Sequence, residues 1–148
     1  MDRFDALKEL IEAHPAIVEF ADFGDGISEK WILKAEAAIG LPLPKTYKWW
    51  LRNYSGGEIG GEEIFSVYEE DCTSVIGGDI VYMYRQGLRE ANSRKDRIPV
   101  CHSDIDGVFC FDASQGLHAN EYPVLSEATG THYARDFLEF LEKRIALF

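Results

Sequence analysis

The sequence predicts an α+β fold, a mostly antiparallel sheet packed against N- and C-terminal helices. Three observations carry that prediction. Apolar residues recur at helical spacing near both ends, as Phe4, Leu7, Leu10 and Ile11 and again as Phe137, Leu138, Leu141 and Ile145. Between them the period falls to two in "RIPVCHS" and "GVFCFDA". Those runs are joined by "DIDG", whose Asp-Gly pair is a strong hairpin signal. Helices before and after clustered antiparallel strands make an α+β domain. The 148 residues are read as a single domain, 1–148, and 46% hydrophobic content suffices for a core.

The elements follow in order. The first helix stops at His14-Pro15, since proline cannot continue it. "AIVEFADFGDG" is a short irregular or extended piece ending in turn residues. Ser28 is the expected N-cap of a second helix and Gly40 its stop, with Trp31, Ile32, Ala35, Ala38 and Ile39 facing inward. Pro44 suits the first position of a third helix, whose stripe is Tyr47, Trp50, Leu51 and Tyr54. "EEIFSVYEE" reads as a strand, "CTSVIGG" as a loop, and Asp79 to Arg94 as a helix with Ile80, Val81, Tyr84 and Leu88 inward. The two hairpin strands come next, then "EYPVLSE" as another strand. From Thr131 onward the chain reads as the closing helix.

Charge narrows the function classes. Twenty-six acidic residues against 15 basic give a formal net charge of −11, which disfavours direct nucleic-acid binding and anionic membrane surfaces. A basic protein partner is favoured, because complementary fields accelerate encounter; the alternative is that the acidity serves only solubility. No apolar run approaches the roughly 18 residues of a membrane span. "MDRFDALKEL" holds no signal-peptide core, so the cytoplasm is the expected location. Three cysteines, Cys72, Cys101 and Cys110, are an odd count without CxxC spacing and read as reduced thiols.

No catalytic, metal or cofactor constellation is expected. The histidines His14, His102, His118 and His132 are scattered, and the sequence has no HExxH, GxSxG, P-loop or GxGxxG. "DIDG" with Asp112 lacks the remaining ligands of a calcium loop and reads as a turn. Strand alternation places Ile98, Val100, Phe109 and Phe111 on the apolar face and Cys101, Cys110 and Asp112 opposite, with His102 turned away from both thiols. The expected site is instead a partner-binding surface. Trp49 lies on nearly the opposite side of the third helix from its buried stripe, so either another element covers it or it is an exposed anchor. Glu58, Glu62, Glu63, Glu69, Glu70 and Asp71 flank one short strand and are expected to form an acidic surface with Trp49 at its edge.

A family resemblance completes the reading. "AEAAIGLPLPKTYKWWLRNYSGG" resembles the signature of the SUKH superfamily, which takes part of its name from a yeast cell-wall synthesis regulator. The matching positions are Glu36, Gly40, Leu43, Pro44, Tyr47, Leu51 and Gly56-Gly57. "IPVCHSDIDGVFCFD", "YPV" and "DFLEFL" are similar to that family's later strands and closing helix, so the likeness runs from about Ser28 to Leu141. "SDIDGVF" departs from the Gly-Asp that often follows the family's first hairpin strand. The resemblance implies a binding scaffold without catalytic motifs. It further implies an immunity protein that neutralises a cognate secreted toxin, often a nuclease, by stoichiometric contact. A cytosolic regulatory interaction module is the alternative.

Overall fold

Three of the five described helices begin at an aspartate side-chain cap. The computed structural model describes residues 2–69, 78–90 and 94–148. Asp2 opens α1 (Arg3–Glu12) by accepting the Asp5 N–H at 2.8 Å. Asp79 opens α4 (Ile80–Arg89) by accepting the Tyr82 N–H, and Asp136 opens α5 (Phe137–Leu147) by accepting the Glu139 N–H, both at 2.9 Å. Each bond satisfies one of the donors that a helix start leaves without an intrahelical partner. Between α1 and α4 lie α2 (Glu29–Ile39) and α3 (Lys45–Tyr54). Gly40 ends α2 in the left-handed region at φ 81°, where a side chain would be strained.

Seven described strands form one antiparallel sheet in chain order: β1 (Val18–Phe20), β2 (Gly57–Ile59), β3 (Glu62–Ile64), β4 (Arg97–Ser103), β5 (Gly107–Asp112), β6 (Val124–Ser126) and β7 (Thr131–Ala134). The fold is therefore α+β, with α4 inserted between β3 and β4. One face of the sheet is packed by helices. Tyr47 and Trp50 of α3 stack at 5.8 Å, and Tyr47 meets Phe111 of β5 and Phe137 of α5 edge-on at 5.2 and 5.1 Å. Tyr47, Trp50, Leu51 and Tyr54 are all buried, as their spacing predicts. The Tyr47 hydroxyl donates to Phe65 O at 2.6 Å, so the aromatic core also fixes where the chain leaves β3.

The signature residues hold the turn between α2 and α3. Glu36 accepts the Leu43 N–H at 2.7 Å, and the Tyr122 hydroxyl donates to Pro42 O at 2.8 Å. At Gly57, φ is 149° and a Cβ would strike Glu19 O and Phe20 of β1. Only glycine lets β1 and β2 approach there.

Several boundaries differ from expectation. "EIGGEEI" is a hairpin, β2 and β3 turning through Gly60-Gly61, so Glu58 sits on its own strand. Thr131–Ala134 is β7, paired with β6, and the closing helix starts only at Phe137. Strand pairing wins over helical period because the Asp136 side chain caps the helix two residues past Ala134. Pro44 is the cap of α3 and not its first residue, and α4 ends at Arg89. The Ser28 side chain makes no cap bond. "CTSVIGG" lies outside the described residues, apart from Gly78.

Strand β4 carries a further correction. A β-bulge between Pro99 and Cys101 shifts its register against β5, pairing Pro99 with Cys110 but Cys101 with Phe109. An extra residue reverses the alternation beyond it. Cys101 therefore joins the Phe109 core face, and His102, opposite Val108, turns to the other side. Burial pushes the Cys101 thiol up to about 12, helped by nearby Glu62, so it is a protonated core group.

The two ends of the chain are joined by charge. Arg3 donates to both oxygens of Asp136, at 2.9 and 3.1 Å. Burial opposes ionisation of Asp136, yet the bonds from Arg3 and Glu139 N outweigh it and hold its pKa below the ordinary value. A depressed carboxylate stabilises the fold above its unfolded pKa, about 3.9, and that contribution is lost as pH falls through the folded value. Arg3→Ala is expected to cost about 1 kcal/mol at pH 7, discounted because Arg3 is half exposed. Urea unfolding at pH 7 and pH 3 checks this: the difference from wild type should shrink in acid.

Candidate interaction surface

Alternation along the hairpin sorts the acidic residues onto two faces. Ile59 and Ile64 point into the core, so Glu62, two residues from Ile64, shares that side, while Glu58 and Glu63 point away. The register places Glu19 opposite Glu58 and Glu58 opposite Glu63. Three carboxylates thus stand in one row across β1, β2 and β3. The ion pairs among the described residues leave Glu19 and Glu58 out. Partial burial and then the neighbouring Glu58 raise the pKa of Glu63, against a hydrogen bond from Tyr68.

Glu62 does something else. With Asp106 of the hairpin turn it binds Arg144 of α5, whose Nη1 lies 2.9 Å from Asp106 Oδ2 and whose Nη2 donates to Glu62 Oε1. The Ser103 hydroxyl donates to the other Glu62 oxygen at 2.6 Å. Arg144 is 2% exposed, and its guanidinium lies 5.0 Å from the Phe109 ring centroid. Burial alone would lower its pKa, but the bonds to Asp106 and Glu62 raise it. The "DIDG" turn is accordingly tethered by a cation from the closing helix. Ser103 Oγ also accepts the Asp106 N–H at 3.1 Å. Sequence reasoning missed this triad because its members are 38 and 82 residues apart.

The other expected surface residues part company. Glu69 is exposed, but its carboxylate accepts the Ser28 N–H at 3.0 Å at the start of α2. Glu70 and Asp71 lie outside the described residues. Trp49 is half-buried: Phe4 of α1 covers it with ring centroids 4.8 Å apart, and Tyr54 meets it edge-on at 6.0 Å. Tyr54 in turn touches Phe20, the strand neighbour of Glu19, so Trp49 belongs to the helix side while the carboxylate row lies on the opposite face. The structure brings together Glu58 and Glu63 and adds Glu19, while it commits Glu62 to Arg144, Glu69 to the start of α2 and Trp49 to Phe4. Glu19 was discoverable in sequence only by knowing that β1 pairs with β2.

Beside the row lies a groove between α4 and the sheet. It has a volume of about 380 Å³, with Phe65, Met83, Pro99 and Val108 as apolar walls. An adjoining hollow of about 330 Å³ shares Phe65, Met83 and His102 and reaches Glu63 and Asp104. Among the described residues, no group of three or more His, Cys, Asp and Glu side chains is arranged to hold a metal ion. No helix among them is long and apolar enough to cross a membrane.

A helix-backed antiparallel meander with an acidic open face defines an α+β domain whose distinctive chemistry is on its surface. The chain belongs to the SUKH superfamily: the family model SUKH_5, described as SMI1-KNR4 cell-wall, matches residues 5–146. No curated protein matches it.

Proposed function

We propose that this is an immunity protein: a non-enzymatic, stoichiometric binder that acts in the cytoplasm and neutralises a basic secreted toxin, a nuclease domain by class. The Glu19–Glu58–Glu63 row carries this reading. Like charges directly opposite each other on neighbouring strands cost stability, and a basic partner would offset that cost on binding. A nuclease groove must be basic to hold phosphates, and an acidic strand face complements it. The family description, with its reference to the cell wall, favours a second reading, a cytosolic regulatory interaction module. A toxin gene beside this one, whose product co-purifies with the protein, separates immunity from regulation.

The row gives two linked expectations. Glu58→Gln should stabilise the free protein by roughly 0.5 kcal/mol at pH 7, because it relieves repulsion on both sides. That gain should shrink in acid as Glu63, with its raised pKa, takes up a proton. Reversing Glu58 and Glu63 to lysine should slow association with the co-purified partner about tenfold and flatten its salt dependence. Stopped-flow mixing at low and high ionic strength reads this. Salt slopes unchanged from wild type would remove the acidic row from the binding surface.

A further inference from the structure

We infer that the groove between α4 and the sheet receives an arginine side chain of the protein partner. The inference deepens the reading above and rests on it. The groove's composition matches that side chain at two levels. Its walls, Phe65, Met83, Pro99 and Val108, are apolar and fit an aliphatic stem. Its rim is acidic: Glu90 and Glu127 line the groove, Glu62, Glu63 and Asp104 line the adjoining hollow, and of these Glu62 is committed to Arg144; His102 lines both. Among the described residues, no lysine or arginine lines either one.

Two of the rim carboxylates, Glu127 and Glu90, are held by neutral donors. Cys110 Sγ donates to one Glu127 oxygen at 3.3 Å, and Gln86 Nε2 donates to Glu90 Oε1 at 3.4 Å. Both donors are uncharged in these contacts, since burial and Glu127 itself push the Cys110 thiol well up. The acceptors are spread around an apolar mouth, which suits a planar cation with five donors better than a compact ammonium. Glu63 belongs both to this rim and to the carboxylate row, so the two features form one continuous acidic surface. A partner that lays basic residues along the row would bring its arginine to the groove.

The probe is N-acetyl-argininamide, titrated into the full chain and followed through the methyl signals of Met83 and Val108. The citrulline counterpart, equal in shape and uncharged, is the control. Saturable shifts at both methyls with the arginine probe, and none with citrulline, are expected. Glu90→Gln/Glu127→Gln should weaken that binding about fivefold or more, the loss expected of two rim ion pairs. Its unchanged thermal midpoint would show that the fold is intact. Equal response to citrulline, or unchanged affinity in the double variant, overturns the proposal. Shifts confined to the amides of Glu19 and Glu58 overturn it too, while leaving the basic-partner reading standing.

Discussion

Arg144→Met is expected to destabilise the protein by about 3 kcal/mol, although methionine fills much of the same space. The guanidinium is 2% exposed and joins α5 to both β3, through Glu62, and the β4–β5 turn, through Asp106. Removing it leaves Glu62, whose side chain is 11% exposed, without its cation on the packed side of the sheet. The value belongs at the low end for a broken buried pair because Asp106, at 44%, regains water. A second variant distinguishes charge from packing. Arg144→Met/Glu62→Leu should recover much of the loss, since the uncompensated carboxylate is then gone. Chemical denaturation of the three proteins at pH 7 checks it. A double variant as unstable as the single one would assign the effect to lost contacts with Phe109 and Tyr133 instead.

The adjacent tryptophans should separate sharply. Trp50→Ala is expected to cost about 3–5 kcal/mol, the loss typical of a large buried aromatic. Trp50 is fully buried and meets Phe20, Tyr47 and Phe137 at 5.4, 5.8 and 5.6 Å. Its indole N–H has no hydrogen-bond partner among the described residues, so packing carries the effect. Trp49→Ala should cost about 1–2 kcal/mol, because the ring is half-buried and its main contact is Phe4. Phe4→Ala combined with Trp49→Ala should then cost less than the sum of the single changes, as contacting residues do. Full additivity would mean that α1 does not rest on this ring. On this geometry Trp49 helps to fasten α1 to α3.

Local pattern was enough for much of the fold. The stripe Tyr47, Trp50, Leu51 and Tyr54 was legible because a helix repeats every 3.6 residues and its buried face is wide. The β4–β5 hairpin was legible because Asp-Gly turns are chemically distinctive. Three-residue strands such as β2 are too short to show a period, and β7 blends into the helix that follows it. The bulge at Pro99–Cys101 left no mark in sequence, yet it moved Cys101 into the core and His102 out of it.

The acidic site divides the same way. Sequence alone determined that the chain is strongly acidic, that Glu58 and Glu63 lie beside the glycine turn, and that it resembles a SUKH protein. Only the tertiary structure decided which carboxylates act together. Glu62 and Glu63 are chain neighbours, but pleating sends one to Arg144 and the other to the open face. Glu19 and Glu58 are 39 positions apart and stand side by side because β1 pairs with β2. Composition fixes how much charge a protein carries. Strand pairing, set by the burial of Val18, Ile59 and Ile64 on the other side of the sheet, fixes where that charge is presented.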